Sequence, residues 1–190
     1  MTEVPARAMR ADARRNYERL LGEAKRAFAE QGIDASLEEI ARRAGVGIGT
    51  LYRHFPTREA LLEALLSERF DAQAAGADEL MAHPSPIDGL RMWALRLAEM
   101  SMSYRGLVEA TAAALANESS QLYRSCHAMQ EGASRLVTRA LEAGQLRADV
   151  TALEVLLLVN SSVWAAERAP DGTPSLARLV DLVFLGLRAR

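Results

Sequence analysis

The sequence predicts an all-α protein, and three observations lead to that prediction. The 190 residues include 35 alanines and 27 leucines, about a third of the chain, and both residue types are strong helix formers. Apolar residues recur at helical spacing along most of the chain, and no segment has the alternating pattern of a β-strand. With 49% hydrophobic and 25% charged residues, the chain has the composition of a folded domain with a sizeable core.

The first four helices are predicted from their caps and breakers. Gly32 ends a first helix over residues 10–31, because glycine readily adopts the positive φ of a C-cap. Ser36 and Glu39 form a capping box that starts a second helix. Gly45 stops the second helix. A third helix ends near His54, because Pro56 breaks it, and Thr57 caps the fourth.

Five further helices follow a predicted linker at residues 83–89. The helical patterns cover about 87–103, 105–117 and 119–143, where Gly144 closes the third of them. A second capping box, Thr151 with Glu154, opens a helix to about Ala169. A loop over 170–174 then leads to a last helix at about 175–189, which gives about nine helices in all.

Residues 36–55 form a predicted helix-turn-helix. Two short helices are separated by a turn in which Gly45 supplies the positive φ that a tight connection needs. Leu51 and Phe55, four residues apart, would hold the third helix against the core. That helix would then lie in the major groove of DNA, with its N-terminal residues near the base edges.

The stretch that begins at Val46, Val-Gly-Ile-Gly-Thr-Leu-Tyr-Arg-His-Phe-Pro-Thr-Arg-Glu-Ala-Leu-Leu, resembles the signature of the TetR family of bacterial transcriptional regulators. The resemblance extends back through Phe28-Ala-Glu-Gln-Gly and Leu37-Glu-Glu-Ile-Ala and covers about residues 14–66. It implies a three-helix DNA-binding head over residues 1–56. It also implies a larger helical body over residues 57–190 that dimerises and binds a ligand.

The resemblance also implies which residues meet DNA. Thr50 and Arg53 are expected to reach base edges, and Tyr52 and His54 to hold phosphates, although an aromatic pair in the core is the alternative for the last two. Arg58 falls where the family commonly has a basic phosphate anchor. Gly47 and Ile48 complete the predicted DNA site. Both depart from the family pattern, since Gly47 replaces a frequent serine and Ile48 replaces a residue that is often polar.

Other arginines near this motif have a second interpretation. Of 23 basic residues only Lys25 is a lysine, and codon bias in a GC-rich genome accounts for most of the arginines. Arg10, Arg14 and Arg15 would either touch phosphates or form a solvated tail. Arg42 and Arg43 are interpreted mainly as solubilising surface residues.

The body contains large and adaptable side chains at helical spacing. Methionine and aromatic residues with a few polar groups are typical of an apolar ligand pocket, and an ordinary core of large residues is the alternative. The predicted pocket residues are Trp93, Leu97, Met100, Tyr123, Cys126, His127 and Gln130.

The last two helices are apolar beyond a single stripe, which predicts burial on more than one side. In the final helix Leu176, Leu179, Val180, Val183 and Leu187 form one stripe. A four-helix bundle of two helices from each of two chains would cover both sides, and a hairpin folded into its own core is the alternative. The predicted homodimer interface comprises Leu157, Val163, Trp164, Leu179 and Val183.

The sequence disfavours several other classes. It has no Gly-rich phosphate loop, no pair of catalytic carboxylates and no nucleophile–base set, so no enzyme activity is expected. Its three histidines are scattered and its one cysteine stands alone, so we expect no metal site, no cofactor and no disulfide. The absence of a signal peptide and of a membrane-length apolar run predicts a cytoplasmic protein without a membrane partner.

The predicted function is therefore a DNA-binding transcriptional regulator. We expect a repressor that an apolar or amphipathic small-molecule effector releases from double-stranded operator DNA. A ligand-independent DNA-binding regulator and a helical protein-interaction scaffold are the alternatives.

Overall fold

The computed structural model describes residues 6–102 and 112–189, with side chains described from residue 11 onward. These residues contain nine α-helices, one 3-10 turn at Pro170–Gly172 and no β-strand. The all-α prediction is confirmed. Most of the helix predicted at 105–117 lies outside the described residues, since 103–111 are not among them. The helices are α1 (Ala6–Gln31), α2 (Leu37–Arg43), α3 (Ile48–His54), α4 (Arg58–Leu80), α5 (Pro86–Met102), α6 (Ala112–Leu115), α7 (Gln121–Glu142), α8 (Ala152–Arg168) and α9 (Leu176–Leu187).

The chain divides into two compact units, and the division falls inside α4, between Leu66 and Ser67. The first unit contains α1 to α3 and the first part of α4. The second contains the rest of α4 with α5 and α7 to α9. The sequence divides the chain after residue 56 instead, and that domain boundary stays a prediction.

The core of the first unit is built from side chains that the helical periodicity selects. Each helix contributes residues that are less than a tenth exposed, and they come together because α1, α2 and α3 are amphipathic. The fully buried members are Leu20, Ala24, Ile40, Leu51, Leu61 and Leu65.

In the second unit α5 is the central helix and packs against α7, α8 and α9. Trp93 of α5 is fully buried. Its indole Nε1 donates to the carbonyl oxygen of Gln73 at 3.0 Å, and Gln73 Nε2 donates to the carbonyl oxygen of Trp93 at 3.2 Å. The two residues therefore satisfy each other's polar groups in the core, where an unpaired donor would be costly.

Several predicted caps are present, and two predicted boundaries are wrong. The Thr151 and Glu154 capping box is fully formed, and Gly32 and Gly144 have positive φ angles of 77° and 64°. The predicted linker at 83–89 is too long, because α5 begins at Pro86 within it. Proline suits the first helical position, where no N–H bond is needed. The first helix also begins at Ala6, four residues before the predicted start.

The α7–α8 connection pairs with the end of α9 and with α5. A single β-bridge joins Leu146 to Arg188, and Arg147 N donates to the Leu187 carbonyl at 3.0 Å. Gln145 accepts a bond from Ile87 N at 2.9 Å through its side-chain oxygen. These bonds hold the first turn of α5 to the closing segment of the second unit.

Candidate nucleic-acid interface

The connection between α2 and α3 is built from local signals. The hydroxyl of Ser36 accepts a bond from Glu39 N at 3.2 Å and caps α2. Gly45, just past α2, has a φ of 66°, as the turn requires. A Cβ at Gly45 would stand 2.5 Å from Nη2 of Arg19, so the guanidinium of that arginine lies directly against the turn. The positive φ favours glycine at this position, whereas the Arg19 guanidinium lies at the end of a flexible side chain and can move aside.

Helix α3 is fixed by Leu51 and Phe55, which are 0% and 2% exposed. At 3.6 residues per turn, Gly49 and Arg53 lie about 160° away from Leu51 and form the most outward ridge of the helix. Ile48 and Tyr52 lie on one flank of that ridge and are 37% and 44% exposed.

Thr50 and His54 lie on the other flank of α3 and are half-buried. His54 belongs to an aromatic cluster, since its ring centroid is 6.0 Å from that of Tyr17 and 6.3 Å from that of Phe55. The accessible surface of α3 is therefore formed by Ile48, Gly49, Tyr52 and Arg53. The sequence pattern alone does not separate these two flanks.

Arg58, at the start of α4, has backbone partners that the sequence does not indicate. Its Nη1 donates to the carbonyl oxygens of Ile33 at 2.8 Å and Ala35 at 2.6 Å. These carbonyls belong to the α1–α2 connection, 25 and 23 residues earlier. The guanidinium thus ties the first turn of α4 to the segment that precedes α2.

Most other arginines of the first unit are paired with carboxylates. Arg42 forms a two-bond pair with Glu39 at 2.7 and 2.6 Å, and Arg43 also donates to Glu39 at 2.9 Å. The hydrogen bonds from Arg42, and then those from Arg43, lower the pKa of Glu39 from 4.5 to about 2. Arg14 pairs with Glu18, and Arg15 pairs with Asp12. The side chain of Arg10 is outside those described.

Arg53 differs from these arginines. It is exposed, and within the described part of the chain it has no ion pair or hydrogen bond. An unpaired guanidinium on the outward ridge of α3 retains all its donors for a ligand.

The residues predicted to line a ligand pocket fall into three environments in the second unit. Trp93 and Leu97 are buried in the core. Met100, Tyr123 and Cys126 are half-buried, and burial raises the pKa of the Cys126 thiol. His127 and Gln130 are exposed and line an open groove with Glu131, Ser134 and Arg135. Trp93 therefore lies in an ordinary core of large residues, which is the alternative to a ligand pocket given above.

The residues predicted for a dimer interface are also divided. Leu157 and Trp164 of α8 are 56% and 61% exposed, whereas Val163 is buried within its own chain. Leu179 and Val183 of α9 are half-buried.

The predicted apolar stripe of the last helix needs correction. The side chains of α9 that enter the core are Val180, Phe184 and Leu187. Phe184 is not part of the predicted stripe, whereas Leu176, Leu179 and Val183, which are, lie beside the buried residues. Four more apolar residues of α8 and α9 are exposed and lie outside the predicted interface, namely Leu153, Leu158, Leu182 and Leu185.

The all-α fold and the exposed short helix α3, which follows α2 after a tight turn, place the protein in the class of helix-turn-helix proteins. The sequence-family model for bacterial regulatory proteins of the tetR family matches residues 20–65. The sequence-family model for the C-terminal domain of SbtR-like transcriptional regulators matches residues 85–189. The chain therefore belongs to the TetR family of transcriptional regulators, which are DNA-binding transcription factors and not enzymes.

Solved structures agree over nearly the whole chain. The TetR transcriptional regulator SCO0520 from Streptomyces coelicolor is 35% identical with a TM-score of 0.71, over 90% of this chain and 98% of that one. The TetR transcription regulatory protein from Mycobacterium vanbaalenii is 32% identical with a TM-score of 0.64, over 95% and 99%.

Curated relatives match over a shorter region. The uncharacterized HTH-type transcriptional regulator TtgW from Pseudomonas putida is 40% identical over 65 residues, 34% of this chain and 48% of that protein. The chain spans between about a third and a half of the length of the curated relatives that it matches. Among the described residues, no helix has the length and apolarity needed to span a membrane.

Proposed function

We propose that this protein is a dimeric repressor that binds a near-palindromic operator in the cytoplasm and leaves it when a small apolar or amphipathic ligand binds. The observation that carries the DNA-binding part is the outward ridge of α3, where Arg53 is exposed and unpaired within the described part of the chain. Arg53 can form two bonds with O6 and N7 of guanine in the major groove. Tyr52 beside it reaches a phosphate with its hydroxyl.

The other predicted DNA residues support α3 in this proposal. Thr50 and His54 are half-buried, so we assign them contacts at the edge of the groove. Gly47 begins the helix without adding a side chain. Arg58 positions α4 through the carbonyls of Ile33 and Ala35.

The dimer part of the proposal is supported by the exposed apolar residues of α8 and α9. Leu153, Leu157 and Trp164 lie on one face of α8, and Leu182 and Leu185 are exposed on α9. Two copies of this helix pair would cover that surface in a four-helix bundle. Val163 contributes from inside, by holding α8 to its own core.

The ligand part of the proposal is supported by α5 and α7, which pack together. Met100 of α5 and Tyr123 and Cys126 of α7 are half-buried and combine apolar bulk with few polar groups. His127 and Gln130 would contact a polar end of the ligand. A ligand that prefers a different position of α4 would shift the population away from the DNA-binding state.

Selection of operators from random DNA, followed by anisotropy titration, tests the DNA-binding part. We expect an enriched near-palindrome with half-sites about one helical turn apart. Failure to retain any sequence would favour a protein-interaction scaffold.

Sedimentation velocity of the wild type and of Leu157→Glu tests the dimer. We expect a dimer at micromolar concentration for the wild type and a monomer for the variant. Ser134→Glu, which places the same charge at an exposed residue of α7 outside that apolar surface, is the control and should remain a dimer. A monomeric wild type would contradict the proposal.

A screen of apolar compounds for loss of operator binding tests the ligand part. Cys126→Trp should then bind the operator normally and fail to respond to the compound. If no compound releases the wild-type protein, a ligand-independent regulator is the better description.

A further inference from the structure

The first turn of α3 presents an apolar surface to solvent. Ile48 is 37% exposed and Tyr52, one turn later, is 44% exposed, so the two side chains form a continuous ridge. Ile48 has no hydrogen-bonding group in its side chain. Its side chain therefore cannot hold a phosphate or read a donor or acceptor on a base edge.

Gly49 leaves space beside this ridge. It lies on the most outward side of α3, and a Cβ built there would meet no atom within 4 Å. Gly47 has the same open surroundings. Any molecule that approaches α3 from outside can therefore reach the helix backbone next to Ile48.

We propose that Ile48 recognises thymine in the operator by packing against its C5-methyl group. This inference rests on the proposed function, in which α3 enters the major groove. The thymine methyl is the apolar group that base pairs display in that groove, and an aliphatic side chain is its natural partner. Gly49 allows the helix to approach closely enough for that contact.

The experiment uses the selected operator and replaces each thymine in turn by deoxyuridine, which lacks the methyl group. At one position per half-site we expect the wild type to bind about fourfold more weakly, the effect of one buried methyl-sized group. Replacement in both half-sites should cost about fifteenfold. Ile48→Ala should bind the thymine and deoxyuridine operators equally at that position, and Ile48→Val should retain most of the difference.

Two further variants separate this contact from general DNA binding. Arg53→Ala should bind all operators more weakly and keep the wild-type ratio between thymine and deoxyuridine. Gly49→Ala should weaken binding to both operators while the melting temperature stays the same or rises, because alanine favours the helix. Melting curves of the Ile48 variants confirm that each is folded.

The outcomes distinguish this inference from the proposed function. If the wild type binds its operator but no deoxyuridine position weakens it, the thymine contact is refuted and the DNA-binding function stands. The same holds if Ile48→Ala keeps the wild-type ratio. If no DNA is retained in the selection, both proposals are refuted.

Discussion

Arg58 provides a prediction that distinguishes a structural contact from a DNA contact. Its Nη1 donates to two carbonyl oxygens, at 2.8 Å to Ile33 and 2.6 Å to Ala35, and the residue is half-buried. A hydrogen bond from a charged donor contributes about 1.5–3 kcal/mol when well buried. Because Arg58 is partly solvated and one nitrogen makes both bonds, we expect Arg58→Ala to cost about 1–3 kcal/mol in total. In a chain of this size that lowers the melting temperature by roughly 2–12 °C.

The assay combines thermal unfolding with the salt dependence of operator binding. Each phosphate contact contributes about 0.9 to the slope of log K against log salt concentration, so two lost contacts in a dimer would lower the slope by about 1.8. For Arg58→Ala we expect a lower melting temperature and an unchanged slope. Lys25→Ala, which removes a charge elsewhere in the first unit, is the matched control. An unchanged melting temperature with a slope reduced by about 1.8 would refute this reasoning and support the phosphate-anchor prediction.

Three further predictions concern the same unit. Arg53→Ala should cost about 1–3 kcal/mol in operator binding and relax specificity at one position per half-site, and an equal loss on random DNA would contradict base reading. In denaturant titrations, Gly45→Ala should lower the free energy of unfolding by about 1–2 kcal/mol, because φ is positive at Gly45. Gly22 lies within α1 with open space around it, so Gly22→Ala should raise the free energy of unfolding by roughly 0.5–1 kcal/mol. Glu39 has a pKa of about 2 in the folded chain and 4.5 without its partners, so its ion pairs stabilise the fold above pH 4.5 and lose that effect as the pH falls toward 2. The difference in melting temperature between the wild type and Glu39→Gln should therefore shrink over that interval, and a difference that persists at pH 2 would refute the assignment.

Local signals in the sequence were sufficient for most helix ends and for the turn between α2 and α3. The Glu39 carboxylate, however, pairs with Arg42 and Arg43, and among the described residues no bond that would close the predicted box with Ser36 is seen. Thr151 and Glu154 predict a capping box from their spacing alone, and the box is formed. Gly45 predicts a left-handed turn because glycine adopts positive φ without strain. These features depend on residues within a few positions of each other, which is the range over which a sequence is directly readable.

Contacts between distant residues were not predictable in the same way. The carbonyl partners of Arg58 and the reciprocal bonds of Gln73 and Trp93 join residues 20 to 25 positions apart. No periodicity encodes such pairs, so the carbonyl partners of Arg58 and Trp93 could not be predicted, and the phosphate-anchor role of Arg58 and the pocket role of Trp93 stay predictions. The exposed flank of Ile48 and Tyr52 likewise depends on how α3 rotates against its core.

The two tryptophans of this chain give it a built-in optical readout. Trp93 is fully buried and hydrogen-bonded, so its emission is expected to be blue-shifted and insensitive to soluble quenchers. Trp164 is 61% exposed, with the guanidinium of Arg168 4.4 Å from its ring centroid. Iodide should therefore quench Trp164 selectively in a monomer. If a second subunit covers α8, the protection of Trp164 from iodide should grow with protein concentration. Dimer formation can then be followed by the fluorescence of an unlabelled sample.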